Sequence, residues 1–109
     1  MDSTAIIREL NDAFRTAPRG LGRVYVTKGI ASMALEQQAD IMRRVHDFSA
    51  FTPDNDPHGE HDFGSFEFAG ETIFWKIDCY DCDLNYGSPD PSDKNVTERV
   101  LTVMLAEEY

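Results

Sequence analysis

One short segment of the chain concentrates side chains that can bind a cation or move a proton. Residues 54–62 read Asp-Asn-Asp-Pro-His-Gly-Glu-His-Asp, which places four carboxylates and two imidazoles within nine positions. Carboxylate oxygens suit calcium, whereas imidazole nitrogens suit zinc or act as general bases near neutral pH. The segment therefore predicts a cation site or a proton-transfer site formed by Asp54, Asp56, His58, Glu60, His61 and Asp62.

The spacing of the acidic residues matches a calcium-binding loop only in part. Asp54, Asp56, Gly59 and Asp62 stand at the first, third, sixth and ninth positions of such a loop. The position that a bidentate Glu would fill holds Ser65, and a predicted strand follows where a helix would be expected. Calcium is therefore one alternative for the ion that residues 54–62 could bind.

A zinc site would combine this segment with a pair of cysteines. His58-x-x-His61 and Cys79-x-x-Cys82 together supply four nitrogen and sulfur ligands, the number that a tetrahedral zinc ion takes. Cys79, however, falls on the apolar face of a predicted strand, where a cysteine behaves as a small buried hydrophobic residue. The simpler interpretation is a solvated loop whose acidic side chains bond to their own backbone. A metal-binding protein or metal-dependent hydrolase that uses residues 54–62, with His58 and His61 as ligands, is the alternative function.

Two segments in the first half of the chain have the spacing of amphipathic helices. The first helix is capped by Asp2 or Ser3 and stopped by Pro18, since proline removes a backbone donor. The second spans residues 35–48, where apolar residues recur every three or four positions.

Alternating apolar and polar residues predict three strands, over residues 23–30, 65–68 and 73–80. In the last strand Ile73, Trp75, Ile77 and Cys79 share one face, because successive side chains point to opposite sides of a sheet. The second and third strands are predicted to form a hairpin whose two-residue turn is Gly70-Glu71.

The C-terminal segment is predicted to form a third helix. Asp90-Pro91 has the signature of a helix start, and the apolar residues between 96 and 105 cover most of a helical circumference. The order helix, strand, helix, strand, strand, helix then predicts one α+β domain over residues 1–109. In this prediction a small antiparallel sheet of about three strands is packed by three helices.

The length and the ends of the chain bound the cellular context. A chain of 109 residues can bury enough surface to fold without a disulfide or a metal, so no cofactor is expected beyond the zinc or calcium alternatives. No apolar run approaches the roughly 20 residues of a membrane span, and the N-terminus lacks the pattern of a signal peptide. We therefore expect a cytoplasmic protein with reduced cysteines and no membrane partner.

The negative charge of the chain lies in its second half. Residues 51–109 contain fourteen Asp and Glu against three Lys and Arg, whereas residues 1–50 contain six against seven. Clustered carboxylates attract basic surfaces and repel phosphates, which argues against direct binding of nucleic acid. The expected partner is a basic protein surface, and the residues expected to contact it are Asp54, Asp56, Glu60, Asp62, Asp78, Asp81 and Asp83.

Four distinctive stretches of the chain are Phe-Trp-Lys-Ile-Asp at residues 74–78 and residues 51–64, 87–91 and 99–109. Together they resemble the family known as domain of unknown function 3768, which comprises short bacterial proteins. The resemblance covers nearly the whole chain and implies no accepted catalytic residues. It also implies a frequent location on plasmids or other mobile DNA. Members typically lack Cys79 and Cys82, which weakens the zinc interpretation.

Charge and resemblance together lead to a functional hypothesis without a reaction. Duplex DNA carries one charge about every 1.7 Å, and a band of carboxylates can occupy a basic groove that is built for phosphates. We therefore expect a non-enzymatic acidic binding protein, a nucleic-acid mimic that inhibits a nuclease or another part of a host CRISPR or restriction complex. The link to host defence is an analogy. The oligomeric state is left open.

Overall fold

The structure consists of a four-stranded sheet with helices on one side. It is a computed structural model that describes residues 2–17 and 19–109. The elements, with two 3₁₀ turns, are α1 (Ser3–Thr16), β1 (Arg23–Val26), α2 (Lys28–Ala31), α3 (Leu35–His46), β2 (Phe63–Phe68), β3 (Glu71–Tyr80), η1 (Lys94–Val96), β4 (Glu98–Leu105) and η2 (Ala106–Glu108). The predicted α+β class is confirmed, with four strands instead of about three.

The sheet is mixed, which the prediction of an antiparallel sheet did not anticipate. Its strand order is β1-β4-β3-β2. The pairs β2–β3 and β3–β4 are antiparallel, but β1 runs parallel to β4 and forms one edge. Strand β1 is joined to the rest of the sheet through α2, α3 and the β2–β3 hairpin, and parallel neighbours need such a long connection.

Helices α1 and α3 begin where the sequence predicted. Asp2 caps α1, because its Oδ1 accepts a hydrogen bond from the backbone N–H of Ala5 at 2.9 Å. Helix α1 ends at Thr16, and its predicted stop at Pro18 lies outside the described residues. Helix α3 begins at Leu35 as predicted but ends at His46, two residues before Phe48.

The largest error of the sequence prediction concerns residues 98–105, which form β4 and not a helix. This strand lies inside the sheet and is buried on both faces, with Leu101 and Val103 on one side and Val100 and Met104 on the other. A strand buried on both faces shows no alternation, so its apolar run is indistinguishable from a buried helix by periodicity. The predicted cap at Asp90 instead organises a turn, in which its Oδ1 accepts from the backbone N–H of Ser92.

Two smaller boundaries also differ from the prediction. The strand predicted over residues 23–30 ends at Val26, and α2 begins at Lys28. The turn between β2 and β3 is Ala69-Gly70, because Phe68 already pairs with Glu71. Both turn residues have positive φ, 50° and 81°, as a type I′ turn requires.

The hydrophobic core lies between the helices and one face of the sheet. Trp75 and Ile73 are fully buried there and Ile77 nearly so, which confirms the predicted face of β3. The residues that line this core are Phe14, Ile30, Ile41, Val45, Ile73, Trp75, Ile77, Leu101 and Val103.

A buried arginine joins α1 to the end of α3. The Arg15 Nη1 donates to the carbonyl oxygens of Val45, His46 and Phe48 at 2.9, 3.2 and 3.0 Å. These carbonyls lie at a helix C-terminus, where unpaired acceptors and the helix dipole favour a cation. The guanidinium also lies 5.1 Å from the centroid of the Trp75 ring.

Candidate functional site

The topology brings the acidic loops to one end of the sheet. Because β3 runs antiparallel to β2 and β4, its C-terminal end lies beside the N-terminal ends of both neighbours. Residues 52–62 precede β2, and residues 81–97 join β3 to β4. We call residues 52–62 and 78–98 the loop end, a region that contains ten Asp and Glu and one Lys.

The loop of residues 52–62 is ordered by short-range hydrogen bonds. The Oδ1 of Asn55 accepts from the backbone N–H of Thr52 at 2.9 Å, and the Thr52 carbonyl accepts from the N–H of Asp56 at 2.8 Å. The Asp56 carbonyl then accepts from the N–H of Gly59 at 3.1 Å. Gly59 has a φ of 68°, a left-handed conformation that glycine adopts without a steric penalty.

His61 is fixed by two carboxylates and an aromatic ring. Its Nδ1 lies 2.8 Å from Oδ1 of Asp12, and its Nε2 lies 3.6 Å from Oδ2 of Asp56. The imidazole stacks on Phe51 with 3.7 Å between ring centroids and 3° between ring planes. His61 also has a φ of 54°, which is uncommon for a residue other than glycine and persists only where surrounding contacts hold it. These contacts attach the loop to α1.

The side chains of α1 that hold the loop were missed by the sequence analysis. Arg8 Nη1 donates to the Gly59 carbonyl at 2.9 Å, and Asn11 Nδ2 donates to the Glu60 carbonyl at 2.9 Å. With Asp12 they form a polar stripe at spacings of three and four on one face of α1. A stripe with this period beside the apolar stripe of the same helix is the signal that could have identified them.

A small recess of about 200 Å³ gathers three of the seven predicted contact residues. Glu60, Asp62 and Asp78 line it beside Asn11 and Cys79. Burial raises the pKa of Asp62 above its usual value, and the neighbouring carboxylates of Asp56 and Asp78 raise it further. Burial likewise raises the pKa of the Cys79 thiol, so this cysteine is a poor nucleophile.

The other predicted contact residues differ in what their carboxylates do. Asp54 and Asp83 are exposed to solvent. Asp81 organises its own turn, since its Oδ1 accepts from the backbone N–H of Asp83 and Asn85 at 3.1 and 3.0 Å. Asp78 forms an ion pair with Lys76 at 2.9 Å. Asp56 has a side chain that is only 5% exposed and lies against His61.

The two histidines and the two cysteines of the zinc interpretation lie in different places. His58 is exposed and lines an open cleft with His61 between α1 and the loop. The Cys82 Sγ lies 3.6 Å from the Asn95 carbonyl, in the loop between β3 and β4. Within residues 2–17 and 19–109, no three side chains of His, Cys, Asp or Glu are placed to share a metal ion.

Comparison with known proteins assigns a family but no activity. The family model described as protein of unknown function, DUF3768, matches residues 26–108. No curated protein and no solved structure matches the chain. None of the helices within the described residues has the length and apolar content of a membrane span.

Proposed function

We propose that this chain, which belongs to the DUF3768 family of proteins of unknown function, is a non-enzymatic binding protein whose loop end docks on a basic protein surface. One observation carries the proposal. Both acidic loops lie at the same end of the sheet, and residues 52–62 and 78–98 carry ten carboxylates and one Lys, while three arginines contact them from other segments, namely Arg8, Arg23 and Arg99. A concentrated field of one sign raises association rates with an oppositely charged surface.

The solvent exposure of each carboxylate of the loop end indicates whether it contacts the partner or holds a loop in shape. Asp54 and Asp83 are exposed, so they meet a partner without loss of internal bonds. Glu60 is partly exposed at the rim of the recess. Asp56 and Asp81 hold His61 and a turn in place, respectively, and contribute to binding mainly through the shape of the loops.

The nature of the partner is a further part of this proposal. A nuclease or nucleic-acid-binding complex has a basic groove built for phosphates, and a rigid set of carboxylates is a substitute ligand for such a groove. The N-terminal half, which is close to neutral, then serves as the scaffold that holds the loops. We propose that the chain acts in the cytoplasm as a nucleic-acid mimic that inhibits a defence complex.

The test uses two double variants with equal changes in charge. Asp54→Lys with Asp83→Lys reverses two exposed charges of the loop end. Glu71→Lys with Glu107→Lys reverses two exposed charges at the opposite end of the sheet and is the control. A partner is captured from the host with the wild-type chain at low salt, purified, and measured by surface plasmon resonance. We expect association with the loop-end variant to slow by about tenfold or more, with little change for the control.

Two further measurements limit the proposal. The affinity of the wild-type chain for the partner should fall steeply between 50 and 200 mM salt, on the order of tenfold or more, because exposed charges are screened. Equal effects of the two double variants, or an affinity that does not vary with salt, would contradict docking through the loop end. Competition with duplex DNA tests the mimicry separately, since a partner that binds DNA and this chain simultaneously contradicts only that part.

A further inference from the structure

Strand β1 forms an open edge of the sheet with apolar side chains in solvent. It pairs only with β4, and Val24, Tyr25 and Val26 are 38%, 50% and 39% exposed. With Leu21, they make up four of the eight large hydrophobic residues that are exposed in the part of the chain that the structure describes. An uncovered edge strand with apolar side chains is a template on which another strand can add.

The backbone of β1 directs hydrogen-bonding groups along this edge. The Thr27 N–H donates to the Val103 carbonyl at 3.1 Å, so the backbone groups of Tyr25, two residues earlier, also point toward β4. Val24 and Val26 alternate with these residues and therefore direct two N–H donors and two carbonyl acceptors away from the sheet. No other segment that the structure describes forms a hydrogen bond with these four groups.

The opposite edge of the sheet, β2, is covered where β1 is not. The Ile77 N–H donates to the Asp62 carbonyl at 2.9 Å, which sets the alternation along β2. By that alternation the backbone groups of Ser65 and Glu67 point outward. The Arg44 side chain of α3 occupies the Glu67 carbonyl, to which its Nη1 donates at 2.6 Å. Charged side chains at an edge hinder the addition of a further strand, so β1 is the edge that can accept one.

The charges around β1 allow two copies of a chain with net charge −10 to meet at this edge. Residues 19–28 contain three Lys and Arg and no Asp or Glu. Two carboxylates from elsewhere reach this segment, and both are already bound. Glu98 lies 3.3 Å from Arg23 Nε, and Glu108 accepts hydrogen bonds from Thr27 and Gly29. Contact at β1 therefore brings no unpaired carboxylates together, which favours a second copy as the occupant despite the overall charge.

We propose that the chain forms a dimer in which β1 pairs with β1 of a second copy in antiparallel orientation, about a twofold axis beside Tyr25. In this register Val24 stands opposite Val26 of the second copy, and each such pair exchanges two hydrogen bonds. A twofold contact needs a surface that is complementary to itself, and the alternating donors and acceptors of β1 provide one. The two sheets then join into one continuous sheet.

The dimer keeps the two acidic loop ends apart. Strand β1 begins at the loop end, as β4 does, because the two strands are parallel. Antiparallel pairing of two β1 strands therefore places the two loop ends at opposite ends of the joined sheet. Dimerisation is independent of docking at the loop end, because it uses neither of the acidic loops and leaves both loop ends free.

The first experiment measures the mass of the full chain by sedimentation equilibrium between about 1 μM and 1 mM. We expect a monomer–dimer equilibrium with a dissociation constant on the order of 100 μM, because a contact between two short strands is smaller than a typical stable interface. Dimerisation should be as strong or stronger at about 200 mM salt than at about 50 mM, because salt screens the repulsion between two negative chains. This dependence is opposite to that expected for docking through the loop end.

Two variants that add the same charge distinguish the two edges of the sheet. Tyr25→Lys places like charges directly opposite each other at the twofold axis and removes a pair of aromatic rings, so it should weaken dimerisation about tenfold. Ser65→Lys adds the same charge at the exposed β2 edge, on the same face of the sheet, and should leave the dissociation constant unchanged. Circular dichroism checks that both variants fold.

Cross-linking in a Cys82→Ser background tests the register without a change of charge. Tyr25→Cys should form an intermolecular disulfide under mild oxidation, because Cα atoms of directly opposite residues without hydrogen bonds lie about 4.5 Å apart, within disulfide range. Val24→Cys should cross-link at least tenfold more slowly, since its counterpart is displaced by two residues, which is beyond that range. Three results would overturn the dimer. They are a chain that stays monomeric up to 1 mM, even if β1 accepts a strand of another protein, equal effects of the two Lys variants, and equal cross-linking of the two Cys variants.

Discussion

A glycine immediately after the acidic loop provides a sharp test of how that loop is positioned. Gly64 is the second residue of β2 and is buried against the aromatic side chains beneath the loop. A Cβ placed on it would lie 2.3 Å from Trp75 Nε1, 2.5 Å from Trp75 Cε2 and 2.6 Å from Phe48 Cε1. Carbon atoms in contact normally stand about 3.5–4.0 Å apart, so Gly64→Ala must displace a ring.

The expected cost follows from how little room the rings have. Trp75 is fully buried, and its ring is also in edge contact with Phe48 at 5.5 Å between centroids. Overpacking of a filled core costs about 1–3 kcal/mol, partly offset by about 0.4–1 kcal/mol because alanine restricts the unfolded chain. We expect Gly64→Ala to lower the free energy of unfolding by about 1.5 kcal/mol, or Tm by about 6 °C for a domain of this size.

The measurement is thermal unfolding followed by circular dichroism and by the fluorescence of Trp75, the single tryptophan. Gly87→Ala is the matched control, because a Cβ at Gly87 meets no atom within 4 Å and its φ is not positive. Its Tm should stay equal to or slightly above that of the wild type. In a Trp75→Phe background, which lacks Nε1, Gly64→Ala should cost about 1 kcal/mol less, since the two sites are in contact.

Two results would refute this account of Gly64. One is a Tm for Gly64→Ala within about 2 °C of the wild type, since overpacking against a ring that cannot move costs more. The other is the same cost in both backgrounds, which would mean that the indole does not lie against Gly64. Because Phe48 also contacts Phe51, on which His61 stacks, the displacement should in addition shift the NMR signals of His61.

Three further predictions concern groups around the sheet. Asp12→Asn, which removes the charge facing His61, should destabilise the protein by about 1 kcal/mol and speed hydrogen exchange in residues 52–62; unchanged exchange would contradict the attachment of the loop to α1. Hydrogen bonds from Thr27, Leu105 and Gly29 hold the pKa of Glu108 below its usual value. The stabilisation by its carboxylate is therefore present above the unfolded-state pKa and lost as the pH falls through the lower folded-state value. The difference in unfolding free energy between the wild type and Glu108→Gln should accordingly shrink below about pH 4, and a pH-independent difference would be inconsistent with this. Iodoacetamide should modify the exposed Cys82 well before Cys79, whose pKa is raised by burial; equal rates by mass spectrometry would exclude this placement.

Local patterns predicted the elements whose two faces differ. In β3, Ile73, Trp75 and Ile77 alternate with residues that stay partly exposed, because helices cover only one face of the sheet there. The cap at Asp2 was equally readable, since a cap depends on residues within one turn of the helix. These features could be predicted because the contacts that determine them span few residues.

The C-terminal strand could not be predicted by the same means. Val100 and Met104 are buried on the face opposite to Leu101 and Val103, so apolar residues occupy both sides of β4. Its β-branched residues favour a strand, but periodicity does not distinguish such a strand from a buried helix. Its neighbours β1 and β3 decide the outcome, and each paired residue of β1 lies 77 positions from its partner in β4.

The excess of negative charge, its location in the second half and the acidic loop at residues 54–62 are all readable from the amino-acid order, since composition and turn-forming residues are local properties. The role of each charged group, in contrast, depends on the fold. It brought Asp12 to His61 and left Asp54 in solvent. It also buried Arg99 against the Asn11 side chain and the Pro91 carbonyl. The physical reason is that hydration and pairing of a charge depend on residues from distant segments, which only the folded chain places together.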